Sequence, residues 1–147
     1  DKSFDPPFPP SSVIGSTGYV GSATLNTLSA AGTAAKAVVR DPAGDKAAGL
    51  RDLAHVELVA GSMGDVAGLA TALAGTNTAF IVTPGAENRA ELVANAVSAA
   101  KTASVGHVVV VSVSTVGTDT IFGRQFTEIE ATVKDSGLTY TFLRLPY

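Results

Sequence analysis

Three glycines spaced three residues apart mark the segment of this sequence best suited to bind a ligand. They follow the apolar pair Val13-Ile14 and lie in the run Gly15-Ser16-Thr17-Gly18-Tyr19-Val20-Gly21. An apolar run with helical spacing comes next, so the pattern predicts a strand, a tight turn and the start of a helix. Glycine lets the backbone adopt positive φ and approach a ligand closely, and the free N–H groups of a first helical turn point at phosphate oxygens. We therefore predict a diphosphate site. The G-x-x-G-x-x-G spacing differs from the G-x-G-x-x-G dinucleotide pattern, and a glycine-rich turn without a ligand is the alternative.

Arg40 carries the next candidate binding group. It ends a predicted strand at 35–40 and lies 19 residues after Gly21, near the distance of about 20 at which a dinucleotide fold places its ribose-reading residue. A carboxylate there would accept the 2′-hydroxyl of NAD, whereas an arginine can fork onto a 2′-phosphate. We therefore predict NADP(H) in preference to NAD(H). Lys46 could add a second positive charge, Asp41 keeps NAD(H) open, and an ordinary solvated arginine is the alternative interpretation of Arg40.

The elements that must position these residues alternate between strand and helix. Predicted strands lie near 12–14, 35–40, 56–60, 78–82, 107–112 and 139–143, and predicted helices near 18–31, 46–53, 66–74, 87–102 and 122–135. Right-handed crossovers then give an α/β fold, a doubly wound parallel sheet of Rossmann-like order 3-2-1-4-5-6, with a cleft beyond the carboxyl ends of the strands. Thr83 and Pro84 follow the fourth strand and should pass beside the nicotinamide-side ribose, with a simple proline turn as the alternative.

The ordered set of strand sequences resembles the NmrA-like family, a group of atypical short-chain dehydrogenase/reductase relatives. The resemblance rests on the segments 13–21, 37–42, 56–61, 79–84, 106–112 and 136–146, which are spread over nearly the whole chain after the first dozen residues. It implies an NAD(P)-binding domain. In that family an aspartate commonly follows the glycine after the third strand and receives the adenine amino group. Ser62 stands there in this chain, and the neighbouring Met63 could pack against the base or belong to the core.

The resemblance also implies where catalytic groups would lie. Relatives with reductase activity use a tyrosine and a lysine four residues apart, and these positions fall on Phe122 and Phe126. Phenylalanine supplies neither a proton nor a charge, and both residues lie on the apolar stripe of a predicted core-facing helix. Ser112 and Ser114 could orient a substrate carbonyl or merely satisfy the backbone. Glu130 matches a glutamate common in the family, and we predict a helix-pairing or surface role for it. No residue is therefore predicted to be catalytic.

Composition limits the function classes further. The 147 residues fit one domain, and the net charge of −3 without a basic patch disfavours nucleic-acid binding. The chain has no cysteine and two well-separated histidines, so no metal site is predicted, and His107 is expected to have a structural role at a strand start. No apolar run approaches the ~20 residues of a membrane span. We predict a soluble protein of the cytosol or of an organelle matrix or stroma.

The two ends of the chain lead to a prediction about partners. Residues 1–12 are rich in proline and contain Phe4 and Phe8, which predicts an extended arm, or the remains of a linker, before a nucleotide-binding domain at 13–147. The resembled family has a substrate-covering region after the last predicted strand, so we expect the chain's own C-terminal region or a protein partner to cover the cleft. Two function classes remain. One is a non-catalytic NADP(H)-binding module that senses redox state or serves a larger assembly, and the other is an NADP-dependent oxidoreductase whose substrate region lies elsewhere.

Overall fold

The computed structural model describes residues 10–146, and in this range six parallel strands form one sheet. The strands are β1 (Ser11–Ile14), β2 (Ala35–Val39), β3 (Val56–Ala60), β4 (Thr78–Ile81), β5 (His107–Val113) and β6 (Thr139–Leu145). Their order across the sheet is β3-β2-β1-β4-β5-β6, and each neighbouring pair is parallel. The predicted doubly wound, Rossmann-like fold is confirmed.

Four α-helices connect the strands of this range, namely α1 (Tyr19–Ala30), α2 (Val66–Ala72), α3 (Arg89–Thr102) and α4 (Ile121–Lys134). The helix predicted near 46–53 is wrong, because the chain forms only a 3₁₀ turn at Asp45–Ala47 followed by further turns. Gly49 lies inside the predicted helix, where glycine costs about 1 kcal/mol relative to alanine. Ala47 and Leu50 are still buried against the sheet, so this connection covers its part of the core without a full helix.

Each face of the sheet carries its own apolar core, because successive side chains of a strand point to opposite faces. Val13 packs with Leu25 of α1 and with Leu50 on one face. Its neighbour Ile14 belongs to the larger core on the other face, which α2, α3 and α4 cover. The strands near the centre of the sheet are therefore buried on both sides and form a rigid base for the loops at their carboxyl ends.

The strand order changes direction between β1 and β4: β2 and β3 extend the sheet on one side of β1, and β4, β5 and β6 extend it on the other. β1 pairs with β2 on one side and with β4 on the other, so the connections leaving these strands diverge and open a cleft beyond their carboxyl ends. Near the amino ends, a buried hydrogen bond of 2.5 Å joins Ser12 Oγ and Thr76 Oγ1, which are 64 positions apart in the sequence. The cleft therefore depends on a pairing between distant parts of the chain.

The predicted arm falls mostly on residues that the structure does not describe. Residues 1–9, including Phe4 and Phe8, and Tyr147 lie outside the described residues. Ser11 and Ser12, which the arm prediction included, belong to β1.

His107 begins β5 and has the structural role expected of it. Its two ring nitrogens lie 2.7 Å from Thr139 Oγ1 and 2.9 Å from Thr141 Oγ1, which joins β5 to β6. Across residues 10–146 no group of three or more His, Cys, Asp or Glu side chains could hold a metal ion. None of the helices in that range is long and apolar enough to cross a membrane.

Candidate functional site

The predicted glycine loop lies at the carboxyl end of β1 and leads into α1. Gly15 has a φ of +85°, a left-handed conformation that favours glycine, and a Cβ there would lie 3.0 Å from Val82 Cβ. Gly21, in the first turn of α1, packs so closely that a Cβ would lie 2.1 Å from the Gly15 carbonyl oxygen. The fold therefore requires glycine at both positions, for the turn and for the contact between helix and loop.

Gly18 differs because no described contact requires a glycine there. It precedes α1 with a φ of −76°, which any residue can adopt, and a Cβ would lie an ordinary 3.7 Å from the Gly15 carbonyl oxygen. It has no side chain to cap the helix, and the first turn of α1 contains no acidic residue. The first N–H groups of a helix have no acceptor within it and attract an anion. Space remains at Gly18 for a phosphate to approach the backbone.

The side chains of the glycine loop differ in what they can contribute. Ser16 is buried and its Oγ donates to the Val13 carbonyl at 2.7 Å, so its hydroxyl stabilises the turn. Thr17 is exposed and borders the cleft. Tyr19 is 91% exposed and, with Val20, borders a separate shallow groove along α1. Binding by this loop would therefore use mainly its backbone.

A cleft of about 460 Å³ lies beyond the carboxyl ends of β1, β2 and β3, a volume typical of small-molecule sites. It brings together the start of the glycine loop, the end of β2 and the turns after β3 and β4. Its lining consists of Ile14, Gly15, Ser16, Thr17, Val38, Val39, Arg40, Gly61, Ser62, Met63, Gly64, Pro84, Gly85, Ala86 and Leu92. Of the predicted binding residues, Gly18, Tyr19, Val20, Gly21 and Thr83 are not part of this lining.

The Thr83 side chain does not line the cleft and instead makes a hydrogen bond within the sheet. Its Oγ1 donates to the Val111 carbonyl at 2.8 Å, which joins the end of β4 to β5. The following residues Pro84, Gly85 and Ala86 border the cleft. The segment after β4 therefore borders the cleft, but not through the threonine side chain.

The turn after β3 places Ser62 and Met63 beside the cleft. Ser62 Oγ accepts the Gly64 N–H at 3.1 Å, and the Met63 carbonyl accepts Asn95 Nδ2 of α3 at 2.8 Å. Leu92, almost one turn before Asn95, also lines the cleft. Neither Asn95 nor Leu92 was predicted from the sequence to lie at the site. The one available signal for Asn95 was a polar residue in the otherwise small and apolar middle of α3.

Arg40 is exposed at the end of β2 and borders both the cleft and an adjoining pocket of about 280 Å³. Thr17 and Lys46 line the same pocket, together with Asp41 and Asp45. Asp41 Oδ1 accepts the Ala43 N–H at 3.1 Å, so this carboxylate closes its own turn. The structure therefore brings Arg40 and Lys46 to the same pocket, beside the glycine loop.

Glu130 does not have the surface or helix-pairing role predicted for it. It is 2% exposed on α4, accepts the Ser112 hydroxyl on Oε2 at 2.6 Å, and receives a bidentate contact from Arg144 of β6 at 3.0 and 2.7 Å. Ser112 is itself fully buried, and the Ser114 N–H donates to the Leu145 carbonyl at 2.7 Å. The prediction failed because helical position alone does not reveal a partner on a distant strand.

Two opposing effects act on the pKa of Glu130. Burial raises this pKa, whereas the hydrogen bonds from Arg144 and Ser112 and the positive charges of Arg144 and Lys134 lower it. The lowering effects dominate, so the pKa of Glu130 is below its ordinary value. The side chain is therefore an anion at neutral pH and holds Ser112 and Arg144 in place.

The two phenylalanines of α4 lie in different surroundings. Phe126 is buried in the core, as predicted, but Phe122 is 37% exposed. Their rings meet edge to face with centroids 5.7 Å apart. Arg89, the first residue of α3, lies over both rings, with its Cζ 4.6 Å from the Phe122 centroid and 5.8 Å from that of Phe126.

Comparison with known proteins gives one family and several relatives. The sequence profile of a family described as NAD(P)H-binding matches residues 15–147. An NAD(P)H azoreductase of Xenophilus azovorans is 33% identical over 134 residues, which cover 90% of this chain and 46% of that protein.

Solved structures show the same relationship. An NADPH-dependent quinone oxidoreductase of Escherichia coli, solved with NADPH, superposes with a TM-score of 0.80 at 27% identity, covering 91% of this chain and 48% of that one. A mutant form of NmrA superposes with a TM-score of 0.78 at 26% identity, covering 92% of this chain and 44% of that one. The chain therefore spans about half the length of the relatives it matches.

Proposed function

The chain belongs to the NAD(P)H-binding family, among proteins of the NmrA-like type, and from this premise we propose that it binds NADP(H) in preference to NAD(H). The observation that supports this proposal best is the convergence of the glycine loop, Arg40 and the turn after β3 on one cleft of about 460 Å³. These segments are far apart in the sequence and meet where the sheet changes direction, which is where doubly wound folds bind ligands.

In this proposal each part of the cleft binds one part of the nucleotide. The backbone of the glycine loop, from Gly15 to the first turn of α1, binds the diphosphate. Ser62 and Met63 contact the adenine, on a turn that Asn95 fixes through the Met63 carbonyl. Arg40 binds the 2′-phosphate, with Lys46 as a second positive charge, and Pro84 passes beside the nicotinamide-side ribose.

Replacing Arg40 with alanine tests the preference for NADP(H). We expect Arg40→Ala to weaken NADP⁺ binding by roughly 1.5–3 kcal/mol, the contribution of a charge-assisted hydrogen bond, while NAD⁺ binding changes little. Isothermal titration of both nucleotides would measure this. Arg124→Ala is the matched control, since it removes one positive charge from an exposed ion pair with Asp119. Equal losses for both nucleotides would contradict the 2′-phosphate role.

We propose further that this chain does not itself catalyse hydride transfer with a tyrosine–lysine pair. The corresponding positions are Phe122 and Phe126, which supply no acid. Ser112 is buried and donates to an ionised glutamate, so its hydroxyl is engaged. A role as a redox sensor or as an accessory subunit of a larger assembly fits these contacts.

A reductase assay tests the non-catalytic role. With NADPH and a quinone or azo acceptor, we expect the protein to consume NADPH no faster than a control without protein, because a positioned general acid contributes about 10²–10⁴-fold. Phe122→Tyr should not restore turnover, since Phe126 still replaces the lysine. Turnover by the unmodified protein at enzyme-like rates would refute the proposal.

A second candidate function is an NADPH-dependent reductase whose remaining catalytic groups lie outside these residues. The observation in its favour is that two relatives with 27–33% identity are named an NAD(P)H azoreductase and an NADPH-dependent quinone oxidoreductase, and both are about twice as long. Enzyme-like turnover in the same assay would select this candidate.

We also propose that residues 13–147 form a nucleotide-binding unit whose exposed edge is covered by its own further C-terminal region or by another protein. The exposed apolar side chains Tyr140 and Leu143 on the edge strand β6 support this. Hydrogen exchange should show strong protection of β6 amides in the complete assembly and weaker protection in residues 1–147 alone. Equal protection in both samples would argue against a cover at this edge.

A further inference from the structure

Within residues 10–146, the side chains that line the cleft include no carboxylate and no carboxamide. The one charged group among them is the guanidinium of Arg40. The other polar side chains are the hydroxyls of Ser16, Thr17 and Ser62. Ser16 is buried and donates to the Val13 carbonyl, so its hydroxyl is already engaged. A ligand in this cleft therefore meets a cation and hydroxyl groups, but no side chain that acts only as an acceptor.

The turn after β3 uses its own acceptors within the protein. The Ser62 carbonyl accepts the Asp65 N–H at 3.0 Å, and Ser62 Oγ accepts the Gly64 N–H at 3.1 Å. The Met63 carbonyl accepts Asn95 Nδ2 at 2.8 Å. Asp65, the nearest carboxylate in the sequence, caps α2. These acceptors are therefore engaged in stabilising the turn and the start of α2.

The same turn keeps two donors for a ligand. Within the described residues, neither the Ser62 hydroxyl nor the Met63 N–H donates a hydrogen bond to another protein group. Both groups belong to residues that line the cleft, and Val38 and Leu92 add apolar surface to the same lining. The turn therefore offers a bound base two hydrogen-bond donors and apolar contacts.

Adenine and hypoxanthine differ at the group that a strong acceptor would recognise. Adenine carries a 6-amino donor and a 6-oxopurine carries an acceptor there, whereas both offer ring nitrogens that accept hydrogen bonds. A site that hydrogen-bonds a ligand group rejects an analogue without it, because the site's own polar group is left unpaired. We infer that this cleft does not select for the 6-amino group and binds dinucleotides of adenine and of 6-oxopurines with similar affinity; the position of the base beside Ser62 and Met63 rests on the proposed function.

Isothermal titration of NADP⁺ and of nicotinamide hypoxanthine dinucleotide phosphate tests this lack of selection. The two nucleotides share the diphosphate, the 2′-phosphate and the nicotinamide, so a difference in affinity reports only the purine. We expect the two dissociation constants to agree within about threefold, which is less than a hydrogen bond to a charged acceptor contributes.

The variant Ser62→Asp should create the selection that the natural turn lacks. Its carboxylate can accept the 6-amino group of adenine and repels a 6-oxo group, so we expect NADP⁺ to bind at least about tenfold more tightly than the hypoxanthine analogue. Aspartate can also accept the Gly64 N–H, as Ser62 Oγ does, so the turn should keep its conformation. The matched control is Ser98→Asp, which adds the same charge at an exposed position of α3 and should create no selection.

Several results would overturn the inference. If the unmodified protein binds NADP⁺ about tenfold more tightly than the analogue, an acceptor reads the 6-amino group, although the proposed function stands. Equal binding of both nucleotides by folded Ser62→Asp would show that the base lies away from Ser62. Absence of binding by both nucleotides would refute the proposed function as well. If Ser62→Asp does not fold, Gly64→Asp decides, because its Cβ would lie an ordinary 3.5 Å from Ser62 Oγ and its carboxylate on the same turn must favour NADP⁺.

Discussion

Replacing Gly21 with alanine is expected to lower the free energy of unfolding by about 3 kcal/mol or more. The new Cβ would lie 2.1 Å from the Gly15 carbonyl oxygen, 2.8 Å from the Gly15 carbonyl carbon and 2.9 Å from Ser16 Cα. All three are backbone atoms, so α1 or the glycine loop must move. Overpacking in a core typically costs ~1–3 kcal/mol and more where the backbone shifts. Urea unfolding followed by circular dichroism would measure the loss.

Gly18→Ala is the matched control that separates folding from binding. Its Cβ would meet no described atom closer than 3.7 Å, and its φ of −76° suits alanine. An unfavourable N-cap residue costs about 0.5–1 kcal/mol, so most of the stability should remain. The added methyl group occupies the approach to the helix N-terminus, so we expect NADP⁺ affinity to fall at least about tenfold. Unchanged affinity in Gly18→Ala, or unchanged stability in Gly21→Ala, would contradict these assignments.

Replacing Glu130 with glutamine is expected to cost about 2 kcal/mol at neutral pH. The change removes the charge from a buried hydrogen-bonded group that holds Ser112 and Arg144. Breaking a fully buried ion pair typically costs about 3–5 kcal/mol, but Arg144 is 49% exposed and water already screens its charge. The exposed neighbour Glu128 provides the control, since Glu128→Gln should change stability by less than about 0.5 kcal/mol.

The contribution of Glu130 should also depend on pH. Because its pKa is lower in the folded than in the unfolded chain, its stabilisation is fully present above the ordinary glutamate pKa. It is lost as the pH falls through the folded-state pKa, where both states bind the proton. Unfolding free energies of the wild type and Glu130→Gln should therefore differ at neutral pH and converge in acid. A constant difference across this range would show that the charge is not the cause.

Local patterns were enough to predict most of the fold. The glycine spacing after Val13-Ile14 placed β1, the loop and α1, and strand–helix alternation predicted the order of all six strands. The spacing between Gly21 and Arg40 predicted that Arg40 lies at the cleft, and Arg40 does line it. The spacing is informative because a single helix with short turns connects β1 to β2. These predictions depend on interactions within one strand–helix–strand unit.

The unpredicted parts depend on contacts between distant segments. Asn95 reaches Met63 over 32 positions and Arg144 reaches Glu130 over 14, and neither spacing leaves a pattern in the sequence. The failed helix near 46–53 has a different cause. Gly49 lies inside the predicted helix, and a short turn that buries Ala47 and Leu50 covers this part of the core without a full helix.

The hydrogen bond between Ser12 and Thr76 has a consequence for how the chain folds. Ser12 and Thr76 are 64 positions apart, so pairing β1 with β4 closes a long loop of the chain. The chain loses conformational entropy in closing this loop before the contacts between the two strands stabilise it. We expect the two central strands to join late, after the local strand–helix–strand units have formed. Because the cleft borders on both strands, a partly folded chain has no nucleotide site. Nucleotide should therefore slow unfolding without accelerating refolding, and stopped-flow measurements of both rates with and without NADP⁺ would show this asymmetry.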